Sequence, residues 1–339
     1  MSTTEVMAAP HRTVSAPKGP TPPHTSRLRG VRTRYIVRKL VSASAMIIAA
    51  ITLAFVSMHL APGDPVSVVT GDASNPELRA TIEADWGLDK PLIAQYWAYL
   101  TNVLHGDFGR SYVRGEDVSE ILFGTRLSAT AQLAGAALIF ALLITLALAM
   151  TTAGRAGFVP KLVQTSELTL ASMPYFWLGL ILISVFAFNL RVLPVTAGNE
   201  IQRLIMPAFT LALPTAAVLS QVLREGMERS LEQPYSLTAR ARGIGPARLK
   251  SRHALRHSLI PATTLAGWIV SGLLTGTVVV EEVFGRPGIG RATVEAVMFQ
   301  DIPVVLGVAI LSSAVYIVVT VLVDISYLWI DPRLKDRVR

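Results

Sequence analysis

The chain is 339 residues long, 51% hydrophobic and only 16% charged, with a mean hydropathy of +0.48. A soluble domain carries about 25% charged residues, so this composition points to the membrane. The formal net charge is +8 and there is no cysteine, which excludes disulfides, thiolate metal sites and cysteine nucleophiles.

Residues 1–34 are rich in Pro, Ser, Thr, His and Arg, lack the apolar core of a secretory signal, and read as a disordered cytoplasmic tail. A membrane-crossing helix needs about 20 mostly apolar residues. Six stretches qualify, at about 41–61, 128–152, 166–188, 204–223, 259–280 and 303–330. The third, fourth and fifth contain Pro174, Pro207, Pro214 and Pro261. Proline is tolerated in a span where neighbouring helices re-satisfy the freed carbonyl, so these helices are expected to pack as a bundle.

Charge in the connections sets the expected orientation. The segment before the first span is basic, with Arg27, Arg29, Arg32, Arg34, Arg38 and Lys39 against the single acid Glu5. The external insertion 62–127 holds ten acids and five bases, whereas the 224–258 loop holds eight bases and three acids. Between 281 and 302 acids again outnumber bases, and the tail 334–339 is basic. The prediction is an all-α membrane protein with six transmembrane helices over residues 35–333. Both termini and the 224–258 loop face the cytoplasm of a plasma (inner) membrane, with 62–127 and 281–302 outside.

The most informative stretch is 238-TARARGIGPARLKSRHALRHSLIP-261. Pro234 and Tyr235 begin a short helix that Gly243 can end, because glycine readily takes the left-handed conformation after a helix. Gly245 then precedes Pro246, and proline favours the first helical position, so 246–258 should start a second helix running into the fifth span. Two short helices with a glycine elbow make a protruding knob. No Phe, Tyr or Trp interleaves the basic residues, which argues against a nucleic-acid partner. His253 and His257 have the spacing of HExxH, but Ala254 stands where the glutamate general base belongs and no third acidic ligand follows, so no metal is expected. Attraction to anionic membrane lipid explains the charge but not the elbow.

This stretch resembles the cytoplasmic coupling motif of ABC-transporter permeases of the dipeptide/oligopeptide/nickel importer family. Thr238, Ala239, Arg240, Ala241 and Gly243 match its first half, and Arg252, His253, Ala254, Leu255, Arg256, Leu259, Ile260 and Pro261 its second. Leu237 departs from a position that is often glutamate in the wider superfamily, and His257 from one that is often asparagine. The resemblance continues in 87-GLDKPLIAQYWAYLTNVLHGDFGRSY-112, in 126-RLSATAQLA-134, in 276-GTVVVEEVFGRPGIG-290 and in 324-DISYLWIDPR-333. Arg286 stands where an apolar or aromatic residue is more usual.

The resemblance implies a type I ABC importer permease working with a second homologous permease, two ATP-binding subunits and an extracytoplasmic substrate-binding protein. Tyr235, Thr238, Ala239, Arg240, Ala241, Arg242, Gly243, Arg252, His253 and Arg256 would couple to the ATPase. Gly106, Asp107, Gly109, Glu281, Pro287, Gly288 and Gly290 would serve binding-protein docking or the external gate. Asp324, Asp331, Pro332 and Arg333 would be structural. The chain carries no G-x-x-x-x-G-K-[ST] phosphate loop. It is therefore expected to be non-catalytic and to hold no cofactor, with ATP and Mg on the partner subunits. Peptides are the expected cargo, with nickel, metal chelates or opines as alternatives.

Acids in spans default to functional readings, yet Glu167 and Asp324 lie near span ends, where they can reach water. Glu281 sits beside the glycine-rich outer turn, and His59 reads as interfacial rather than as a ligand. Two distant alternatives remain: a secondary carrier driven through Glu281 or Asp324, and an intramembrane metalloprotease using His253 and His257.

Overall fold

The computed structural model describes residues 25–70 and 76–330, and among these every regular element is helical. An antiparallel bridge between Arg110 and Asp117 is isolated. Asp331, Pro332 and Arg333, the side chain of Asp324, and residues 1–24 and 334–339 lie outside the described residues.

Helix α1, Thr25–Leu60, contains the first apolar window. The insertion 62–127 then folds into α2 Pro65–Thr70, α3 Pro76–Trp86, α4 Leu92–Leu104 and α5 Val118–Phe123. Proline stands first in α2 and α3 and caps α4 as Pro91, the place where its missing N–H costs nothing. Helix α4 leans on α1: Tyr96 meets Phe55 edge-on at 5.4 Å, and its hydroxyl shares a 2.7 Å hydrogen bond with Thr52. Trp86 stacks on Tyr112 at 4.0 Å. Ile51, Phe55 and Met58 join this insertion to Ile302 and Leu306, so it is a packed cap.

Helix α6, Thr125–Thr152, carries the second window; it is followed by α7 Phe158–Ser172 and α8 Tyr175–Leu182, which widens into a π-helical stretch at Ile183–Asn189. Helix α9, Glu200–Leu231, starts from a complete capping box: Asn199 accepts from the Gln202 N–H at 2.9 Å, and Gln202 returns the bond at 3.2 Å. The rest of the chain is α10 Pro234–Ala241, α11 Pro246–Leu249 with a π-helical stretch at Lys250–Ala254, α12 Leu255–Thr264, α13 Ala266–Phe284, α14 Ile289–Met298 and α15 Ile302–Ile330.

Helix α9 is the axis of the bundle. Two-thirds (67%) of its apolar window is buried, against 17% for α1, and it packs along α6, α7, α8, α12 and α13. Glycine permits the closest approach: a Cβ on Gly276 would come within 2.7 Å of Leu211 and 3.1 Å of Tyr175. Met206, Ala208, Leu211, Ile269, Leu273 and Phe284 fill the core so formed.

The expected spans need three corrections. The stretch 166–188 is not one straight helix, because the chain bends by 113° between α7 and α8. The cause is Pro174: it has no N–H for the ladder and pushes Met173 to an extended ψ of 131°. The fourth span runs eight residues further than expected, to Leu231, which shortens the basic loop. Among the described residues four helices are long and apolar enough to cross a membrane, or five with the bent pair. The expected span 259–280 falls on α12 and α13, parted at Leu265, where several side chains lie outside the described residues.

Candidate functional site

At the end where α9 finishes, the basic stretch forms the expected knob. Gln233 is extended, Pro234 takes the first position of α10, and Ser236 turns back to donate its hydroxyl to the Ser230 carbonyl at 2.9 Å. The Tyr235 hydroxyl pairs with Ser230 Oγ, and its ring lies 5.5 Å from that of His257. These contacts tie α10 to the last turn of α9 and to α12. Helix α10 stops where Gly243 turns left-handed at φ 77°, with the Gly243 N–H on Arg240 O at 2.9 Å and that of Ile244 on Ala239 O at 3.1 Å.

Ala239 faces inward, and Leu249 and Ala254 are buried, Ala254 within a cluster that includes Leu223, Met227 and Ala149. The opposite face is free: Leu237 is 67% exposed, and Thr238, Arg240, Ala241 and Arg242 are exposed beside it. Arg248, Arg252 and Arg256 are exposed too, while His253 is half-buried. Burial beside Arg155 holds the Lys250 amine below its ordinary value. The result is a positively charged projection with Leu237 at its exposed tip.

At the other end, Glu281 is fully buried and organises the turn after α13. One oxygen accepts from Thr130 Oγ1 at 2.6 Å; the other accepts from the N–H groups of Gly290 at 2.7 Å and Arg291 at 3.2 Å. Thr130 in turn accepts from the Ile289 N–H at 2.9 Å. The carboxylate thus caps the N-terminus of α14, where negative charge is favoured. A side chain on Gly288 or Gly290 would collide with it, which explains both glycines. Pro287 is exposed on the same turn.

Arg286, between them, is half-buried, with its Nε enclosed and without an acceptor. Burial holds its guanidinium below the ordinary value; Glu281 and Glu200 oppose that shift and Arg203 adds to it.

Gly106, Asp107 and Gly109 do not join Glu281. They form a separate turn after α4, with both glycines left-handed (φ 84° and 81°) and Asp107 accepting from the Gly109 N–H at 2.8 Å. A second carboxylate clamp holds this region down: Asp301 accepts from Ser111 Oγ and, at 3.0 Å, from the Tyr112 N–H. Burial pushes the Tyr112 phenol up to about 12, aided by the charge of Asp301. His59 bonds Phe55 O at 2.8 Å and lies 3.4 Å from Gln95.

Glu167 does not reach water. It is 1% exposed and grips Arg224 through bonds of 2.6 and 2.9 Å, with Ser220 Oγ donating a third at 2.7 Å. Distance along the chain to a span end does not reveal this burial; Ser220 and Arg224, four apart, share one face of α9 and are the signal for it.

Residues 144–336 match the family model described as binding-protein-dependent transport system inner membrane component, and residues 32–149 match the N-terminal model of such membrane components. The chain is 33% identical over 302 residues to the glutathione transport system permease protein GsiC of Salmonella paratyphi A, covering 89% of this chain and 98% of that protein. It is 34% identical over 310 residues to the probable peptide ABC transporter permease protein y4tP of Sinorhizobium fredii, covering 89% and 99%. Against the dipeptide transport system permease protein DppB of Bacillus subtilis it is 32% identical over 303 residues, covering 89% and 98%. This chain belongs to the family of binding-protein-dependent transport system inner membrane components, and is a multi-pass permease subunit of an ABC transporter.

Proposed function

We propose that the chain forms half of the passage of an ATP-driven importer of small peptides, beside a second homologous permease. Six spans with both termini in the cytoplasm put the α10 knob inside and the Glu281 turn outside. Two ATP-binding subunits, carrying ATP and Mg, receive the knob of each permease, and an extracytoplasmic binding protein delivers cargo at the turns around Gly106–Gly109 and Pro287–Gly290. Glutathione, dipeptides and peptides are what the relatives' names give as cargo, and this supports peptides over nickel, metal chelates or opines.

The knob carries the proposal. Leu237, Thr238 and Ala241 form a small apolar tip ringed by Arg240 and Arg242, so apolar burial and pairing with carboxylates can act together in a cleft. Seated on α9 through Ser230, Tyr235 and Ser236, it can move the bundle axis rather than fold away.

The chain has no native cysteine, so Leu237→Cys gives a clean attachment point for a benzophenone maleimide. In the intact complex, illumination should yield an adduct to an ATP-binding subunit, whereas the same probe on Pro287→Cys should reach the binding protein. An intact complex whose Leu237→Cys adduct forms with the binding protein or with lipid alone would refute the assignment.

A further inference from the structure

A cavity of about 430 Å³ opens between the start of α6, α14, the start of α15 and the loop that carries Val113 and Arg114. It lies where α6 and α15 enter their apolar windows, so the boundary of the membrane passes through it. Three guanidiniums line it, those of Arg114, Arg126 and Arg291, around the carboxylate of Glu295.

Arg114 donates to one Glu295 oxygen at 2.8 Å and Arg291 Nε to the other at 3.1 Å. Arg126 is left over. Its Nη2 stands 3.8 Å from Glu295, beyond hydrogen-bond reach, although the side chain is only 14% exposed. Among the described residues this guanidinium makes no hydrogen bond, and none of its nitrogens is enclosed. The other carboxylate on the lining, Asp301, is buried and has both oxygens on Ser111 and Tyr112. Glu116, Asp117 and Glu120 are exposed and lie outside the lining.

One guanidinium therefore faces open space with its donors free, beside two others. Like charges held this close repel, and an oxyanion among them removes the repulsion. Guanidiniums hold phosphate oxygens two bonds at a time. The mouth of the cavity decides between sources of phosphate. Val113 and Phe299 line it and are exposed, and Val297 and Met298 are exposed at the same end of α14. A dissolved anion gains nothing from such a rim, whereas a phospholipid lays its acyl chains against it while its phosphate enters.

We propose that Arg126, with Arg114 and Arg291, binds the phosphate of an anionic phospholipid at the membrane surface. The bound lipid ties α14, whose first turn Glu281 holds, to the head of α6.

The test uses the intact transporter complex, stripped of lipid in detergent. Native mass spectrometry follows the first lipid bound as dioleoylphosphatidylglycerol is added, with dioleoylglycerol as the comparison that lacks phosphate. Dioleoylphosphatidylglycerol should bind and dioleoylglycerol should not. Arg126→Gln should weaken the first binding step about tenfold, the loss of one charge-assisted pair, while Arg126→Lys keeps most of it. Arg114→Gln, at the exposed edge of the cavity, should weaken it about threefold. Lys90→Gln, an exposed cation of the same insertion outside this cavity, should change nothing.

The amount of assembled complex and its melting temperature without lipid separate these losses from misfolding. If Arg126→Gln does not assemble, Arg114→Gln decides. Assembled variants that bind dioleoylphosphatidylglycerol as tightly as the unaltered complex overturn the inference. So does inorganic phosphate that displaces the lipid at equal concentration, which would make the site one for a dissolved anion. Variants that keep the lipid but lose docking of the binding protein to the lipid-free complex overturn it too, and give the cluster to that protein's acidic side chains.

Discussion

At the scale of single residues, two buried carboxylates decide how the ends of the bundle are held. Glu167 and Arg224 join α7 to α9 where almost no water is available, and breaking such a pair on one side leaves an uncompensated charge. Arg224→Ala should cost roughly 3–5 kcal/mol, seen as a lower melting temperature of the purified complex in detergent. The double change Glu167→Met with Arg224→Met should recover most of that loss. Glu281→Ala should loosen the start of α14 by roughly 3 kcal/mol, since hydrogen bonds to a charged acceptor contribute about 1.5–3 kcal/mol each; faster amide exchange at Gly290 and Arg291 would report it. The place of Glu281 beside the glycine turn was legible in the sequence, but its bonds to Thr130, Gly290 and Arg291 were not. Glu167 was not: its partner looked like a loop residue, beyond the last apolar position of the expected fourth span.

At the scale of elements, the knob was the most legible part, because proline and glycine mark its boundaries by covalent constraint. Helix α10 starts at Pro234, as expected, and ends at Ala241, and the next begins at Pro246. The π-helical widening at Lys250–Ala254 has no signature in the residue types. Gly243→Ala would meet no atom within 4 Å, so its cost is conformational alone, about 1–2 kcal/mol for a left-handed L-residue. It should uncouple ATP hydrolysis from import without lowering the amount of complex.

In the insertion, burial alone would raise the Asp64 pKa, but bonds from Ser67, Arg79 and the Val66 N–H, with the charge of Arg79, bring it below the usual carboxylate value. A lowered folded pKa means a contribution complete above the unfolded value and lost as pH falls through the folded one. Amide protection in residues 66–70, corrected for the intrinsic pH dependence of exchange, should therefore fall in acid, below about pH 4, and Arg79→Ala should shrink that step while Ser67 and the Val66 N–H keep part of it.

At the scale of the whole molecule, composition and loop charge were enough to announce a helical membrane protein, and motif order was enough to place it in its family. The sharp corner at Met173–Pro174 was not anticipated, since an apolar run reports length and not direction. Nor could the sequence show that α9 is central, because burial among helices and exposure to lipid select the same side chains.

Helix α9 reaches from the capping box beside Arg203 to Ser230 under the knob, 32 residues or about 48 Å of rod at 1.5 Å per residue. It has the dimensions of a lever arm. Swung by about 5° about its middle, its two tips travel about 2 Å each in opposite directions. A push at Tyr235 would then shift Arg203 relative to Arg286 by close to the reach of one hydrogen bond, with Pro207 and Pro214 as the places where that stroke can be absorbed.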